Sequence, residues 1–136
     1  MTDTDLAART RVAARIVGPY LMIMGAMLLM RAADMALMLP AFMQDGPLVL
    51  AAGAFTALAG LTLLALHHSF KTLAACTITI VGIVGTLKGA WLLIAPQLGA
   101  PLTAAVLRAS PLLLVVAALM LLVGAWLSSV GWRRAA

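Results

Sequence analysis

The chain has 136 residues, of which 65% are hydrophobic and 10% charged, with a formal net charge of +5. A mean hydropathy of +1.14 and that apolar share exclude a soluble domain, in which about 45–50% of residues are apolar. The basic residues gather at the ends of apolar runs, where they set topology in a membrane rather than a surface for nucleic acid, so nucleic acid is set aside as a partner.

Residues 1–15 open with Thr2, Asp3, Thr4 and Asp5, good helix-starting types, and continue with Arg9, Arg11 and Arg15. They predict a short basic helix on the cytoplasmic surface. Three arginines before an apolar run also suit the n-region of a signal peptide, but residues 16–39 exceed the usual ~7–15-residue h-region, and no clear A-x-A site ends them. Residues 16–39 are the first expected span, with Pro19 in its opening turn and Tyr20 at interface depth. Arg31 and Asp34 share one side of that helix at i,i+3 and can neutralise one another. Pro40, Gln44, Asp45, Gly46 and Pro47 predict a short loop, which makes the next helix the antiparallel neighbour of the first.

Residues 48–66 are nineteen residues without a charge, close to the ~20 that cross a hydrocarbon core of about 30 Å. His67, His68, Ser69, Phe70 and Lys71 turn the chain into the third span, residues 73–95, which carries Lys88 inside its apolar run. After Pro96, Leu102, Ala105, Val106 and Ala109 recur at i, i+3, i+4 and i+7, either as an interfacial helix or as an extension of the last span kinked at Pro111. Residues 112–130 form the fourth span, and Gly131, Trp132, Arg133 and Arg134 follow it at an interface. The expected fold is all-α: four transmembrane helices in a tight antiparallel up-down bundle, as a single domain.

Orientation follows from the cations outside the spans. Arg9, Arg11, Arg15, Lys71, Arg133 and Arg134 fall on one side and Arg108 on the other, which places both termini in the cytoplasm. Trp91 then marks the outer interface, with Trp126 and Trp132 near the inner one.

Glycine spacing is the most specific signal. Gly18–Gly25, Gly46–Gly53, Gly53–Gly60, Gly82–Gly89 and Gly124–Gly131 are five pairs seven residues apart, against ~0.8 expected from random placement, a count that quantifies the periodicity. Ala32, Ala75 and Ala117 extend three of these ladders, and Gly85 stands beside one. In lipid, helices associate by close packing at small residues, and a seven-residue period keeps such a seam facing its partner. Gly18, Gly25, Gly53, Gly60, Gly82, Gly85, Gly89 and Gly124 are therefore the expected packing positions.

A faint repeat, Gly25-x5-Arg31-x8-Pro40 and Gly82-x5-Lys88-x7-Pro96, puts Arg31 and Lys88 at similar depth in the outer half of the membrane. With Asp34 they form the one charged cluster inside the apolar runs. Intramembrane charges face bundle interiors or aqueous cavities, which makes the trio a candidate ion or solute site open to the outside. The structural alternative is that all three snorkel to the headgroups or simply hold two helices together.

Other chemistry is sparse. His67 and His68 are adjacent and point about 100° apart on a helix, so they do not share a metal unaided. Met22, Met24, Met27, Met30, Met35 and Met38 crowd the first span, as flexible packing against a partner rather than a copper site. The single Cys76 builds neither a disulfide nor a thiolate metal site within one chain. Serines lack a nearby base and carboxylates are few, so no catalytic residue, cofactor or metal is expected.

The segment from His67-His68 through Gly82, Lys88-Gly89 and Pro96, a histidine turn followed by G-x5-K-G and a proline, resembles small uncharacterised four-span proteins of the bacterial inner membrane. The resemblance covers about thirty residues, implies a bacterial multi-pass membrane protein, and carries no activity. The resulting expectation is a non-enzymatic packing or accessory component of a homo-oligomer or a larger membrane complex. The alternative is a small oligomeric transporter or channel using Arg31, Asp34 and Lys88.

Overall fold

The computed structural model describes residues 3–99 and 110–132. They form five α-helices and one 3-10 turn: α1 (Asp3–Met30), α2 (Met35–Gln44), α3 (Gly46–Leu66), α4 (Leu73–Ile94), the turn Pro96–Leu98, and α5 (Ser110–Trp132). Four of them, α1, α3, α4 and α5, are long and apolar enough to cross a membrane, because backbone groups in hydrocarbon must pair within their own helix.

The first span differs from the sequence expectation. Residues 1–15 do not form a separate helix before a span at 16–39; α1 is continuous from Asp3 to Met30, and its 28 residues extend about 42 Å at 1.5 Å per residue. That length is enough to cross a bilayer, and Arg31–Asp34 form an exposed turn at its end, closed by the Asp34 N–H donating to the Arg31 carbonyl at 3.0 Å. Pro19 lies in the interior of α1 rather than its opening turn, and forgoes the N–H that would reach the Arg15 carbonyl. Pro40 likewise sits inside α2, which at ten residues, about 15 Å, is too short to span.

Local chemistry sets the other boundaries. The Asp45 carboxylate accepts from the Leu48 N–H at 3.1 Å, with Pro47 in the first turn of α3, and the Thr72 hydroxyl accepts from the Ala75 N–H at 3.2 Å to start α4. Both are side-chain caps for otherwise orphaned donors. Pro96, just past α4, cannot continue it. Two threonine hydroxyls within the spans donate to their own helices, Thr56 to the Ala52 carbonyl at 2.6 Å and Thr86 to the Gly82 carbonyl at 2.8 Å.

The helices are organised as two pairs. α1 packs chiefly on α5 and α3 chiefly on α4, while α1 and α4 touch over a short stretch. The expectation that α1 neighbours the next span does not hold, because α2 and its two turns separate them and the last span takes the place beside α1. Facing residues run in opposite order: from Arg15 through Gly18 to Gly25 on α1, the opposed positions on α5 fall from Gly131 through Ser128 to Ala117.

Both seams are built on small residues. A Cβ on Gly18 would stand 2.5 Å from the Ser128 hydroxyl oxygen, and one on Gly25 2.8 Å from the Ala117 carbonyl. Between α3 and α4, a Cβ on Gly60 would meet the Thr86 nitrogen at 2.5 Å, and one on Gly89 would overlap the Ala57 backbone. Without side chains at these points the backbones approach closely. Gly46 and Gly85 are different: the first has nothing within 4 Å, and the second only the Gly60 Cα at 3.7 Å. The pairs are joined by a small core in which Ala13, Ala14, Val17 and Leu21 of α1 meet Ala74 and Ile78 of α4 and Leu127 of α5.

Candidate functional site

Two clefts lie against the α3–α4 pair, one facing α1 and the other facing α2. Nearer the core, a cleft of about 430 Å³ lies between Ile16, Val17 and Tyr20 of α1 and Phe55, Gly60, Leu63, Val81 and Gly85 of the α3–α4 pair. Toward the other end a cleft of about 770 Å³ is bounded by Leu39, Phe42 and Met43 of α2, Ala52 of α3, and Val84, Lys88, Trp91 and Leu92 of α4, with Gly99 beside them. Thr56 lines both clefts.

The charged trio of the sequence reading is divided. Lys88 lines the larger cleft, whereas Arg31 and Asp34, exposed on the turn between α1 and α2, do not. Asp34 precedes α2 without a side-chain capping bond, and among the described residues no ion pair joins the three. The two cations that the G-x5 repeat matches therefore have different settings: Arg31 follows the last residue of α1, while Lys88 lies six residues before Ile94, the end of α4.

At the turn between α3 and α4, His67 is only 3% exposed and its Nε2 has no hydrogen-bond partner. Burial lowers its pKa below 6.5, the neighbouring charge of His68 acts in the same direction, and a backbone contact at Ala75 offsets part of the shift. His68 instead packs edge-on against Phe70, ring centres 5.6 Å apart. Below them Thr79, fully buried, donates to the Ser69 carbonyl at 3.0 Å and accepts from the Ser69 N–H at 3.3 Å, fastening the turn to α4. No group of three His, Cys, Asp or Glu gathers among the described residues.

Two features escape sequence reasoning. The clefts arise where α1 and α2 lie against the α3–α4 pair, an arrangement that residue spacing does not encode. Arg15 reaches across to α5, its Nε donating to the Gly131 carbonyl at 2.7 Å with the guanidinium 5.6 Å from the Trp132 ring centre. A cation near the start of the first span and an aromatic at the end of the last were visible, but nothing local tied them together. The amphipathic pattern at 102–109, and Arg108, Arg133 and Arg134, lie outside the described residues.

No family model, curated protein or solved structure matches the chain. The functional reading therefore rests on the geometry alone.

Proposed function

We propose that this chain is a small non-enzymatic protein of the bacterial inner membrane, an accessory component that packs against copies of itself or within a larger membrane complex. Both termini face the cytoplasm in this reading, and the four spans alternate in direction, supported by the basic residues at the ends of the apolar runs and by the opposed order of facing residues. The observation that carries the reading is the division into two pairs. Each span has essentially one close neighbour, and only 17–33% of its most apolar stretch is buried. The seam glycines are already occupied within the chain, so a partner would meet larger side chains such as Met30, 87% exposed, Leu37 and Met38. Unbranched methionines adapt to irregular partners. The Ser128 and Ser129 hydroxyls of α5 donate to the Met22 sulfur and the Trp126 carbonyl.

The experiment is cross-linking in native membranes followed by native mass spectrometry. A stable homo-oligomer or a reproducible membrane partner supports the reading, and recovery as an isolated monomer under the mildest extraction overturns it.

A second reading, a small oligomeric transporter or channel, is favoured by one observation: Lys88 lines a cleft of about 770 Å³. Replacing both Arg31 and Lys88 by Gln abolishes flux if that reading is right, and leaves assembly and function intact if the chain is a packing component.

A further inference from the structure

Lys88 occupies the middle of the wall that α4 gives to the larger cleft. Val84, Leu87, Lys88, Trp91 and Leu92 recur at i, i+3, i+4, i+7 and i+8, one face of the helix, so apolar lining extends about 6 Å to either side of the cation at 1.5 Å per residue. α2 supplies a second wall through Leu39, Phe42 and Met43. Past Lys88, at Trp91, the elements meet: a Cβ on Gly99 would stand 3.2 Å from the Met43 methyl and 3.9 Å from Trp91 Cζ2. The one hydroxyl of the lining, that of Thr56, donates to the Ala52 carbonyl at 2.6 Å. Lys88 is the one charged residue of the lining, and among the described residues no ion pair joins it to Arg31 or Asp34.

The position of the charge selects the occupant. A neutral molecule would leave the ammonium without a counter-charge inside an apolar span, which is costly. A small hydrated anion would leave the apolar lining on both flanks unfilled, and an amphiphile charged at one end would fill one flank only. A compact monoanion with its charge at the middle and an apolar group on either side meets all three conditions, and a volume of about 770 Å³ is that of a small-molecule site. Phe42 and Trp91 add aromatic surface on one flank. We propose that the cleft binds an aromatic carboxylate of two linked rings, with the carboxylate at the Lys88 ammonium, one ring toward Val84 and the other toward Phe42 and Trp91. The site belongs to the single chain and does not rest on the accessory reading.

The test is calorimetric titration of the purified full chain in neutral detergent, against protein-free micelles, with ortho-anilinobenzoate, para-anilinobenzoate and ortho-anilinobenzamide. The three share two rings and one bridge, and their charge is central, terminal and absent in turn. The expected result is one ortho-anilinobenzoate bound per chain, about tenfold more tightly than either of the others, the scale of one charge-assisted bond. Lys88→Gln lowers ortho-anilinobenzoate to the level of the amide, Lys88→Arg keeps the preference, and Arg31→Gln changes nothing. Val84→Trp, at an exposed position, fills one flank and weakens ortho-anilinobenzoate with helical content unchanged. The proposal is overturned if the amide or the para isomer binds as tightly as ortho-anilinobenzoate, if Lys88→Gln binds it as the wild type does, or if the heat does not exceed that of the micelles alone.

Discussion

Arg15 and Gly131, separated by almost the whole chain, are joined by a 2.7 Å hydrogen bond from the guanidinium Nε to the carbonyl oxygen. That carbonyl lies in the last turn of α5, where helix carbonyls lack an intrahelical donor and the helix dipole favours a cation. The guanidinium also lies 5.6 Å from the Trp132 ring centre, within cation–π range. Arg15→Ala is expected to lower stability by about 1 kcal/mol, since the side chain is partly solvated and its interactions are correspondingly screened. Arg15→Lys recovers only part of the loss, because an ammonium lacks the planar fork. Thermal unfolding in detergent measures both.

The α3–α4 seam separates replaceable glycines from irreplaceable ones. Gly60→Ala forces a Cβ to within 2.5 Å of the Thr86 backbone nitrogen, and Gly89→Ala overlaps Ala57, so the helices must move apart. Overpacking of this kind costs about 1–3 kcal/mol. Gly85→Ala, with its nearest neighbour at 3.7 Å, is expected to be neutral or stabilising by up to ~1 kcal/mol from reduced backbone freedom. Parallel denaturation curves of the three variants decide the order.

His67 predicts a dependence on pH. Its folded pKa is lowered from 6.5, first by burial, so the unfolded turn binds the proton more readily than the folded one. Stability contributed by neutral His67 is therefore fully present above pH 6.5 and is lost as pH falls through the folded value. The turn at residues 67–72 should loosen in mild acid, read as a rise in the maleimide labelling rate of the native Cys76, one turn into α4, relative to that of His67→Phe at the same pH. The variant is buried without a titrating nitrogen and corrects for the loss of reactive thiolate in acid. A ratio of wild-type to variant rate that stays constant down to pH 5 contradicts the assignment.

The end of α1 can be located chemically. In a Cys76→Ser background, Asp34→Cys should react with a membrane-impermeant maleimide added on the side where α1 ends, and Ile16→Cys, half-way along α1 (Asp3–Met30), should not. Equal protection of both would place Asp34 in the hydrocarbon, as a span at residues 16–39 requires.

Much of the architecture was legible because apolar length and capping residues are local properties. The expected spans at 48–66 and 73–95 lie within two residues of α3 and α4, whose starts carry Asp45 and Thr72 as caps. The seven-residue glycine spacing showed which face of each helix is small. It did not show which helix that face meets: Gly18 and Gly25 contact the last span and not the next one. Arg31 and Asp34 were placed within the first span because the apolar run continues through Leu39, and only the folded chain shows that helix α1 begins at Asp3, ends at Met30 and leaves them in the turn before α2. Lys88 was singled out by its charge, but the cleft it lines is bounded by α2, α3 and α4 together and has no signature in residue order.

Pairing of the first span with the last also has a consequence for how the protein is made. At about 5–20 residues per second during synthesis, roughly 5–20 s separate the emergence of Met30 from that of Trp132. Throughout that interval the small-residue face of α1 has no mate, while α3 and α4 can zip together as soon as their turn is complete. Biogenesis thus ends with a ring closure: the earliest helix to enter the bilayer is among the last to find its place, and a ribosome that stalls before α5 leaves behind one finished hairpin and one unmatched rod.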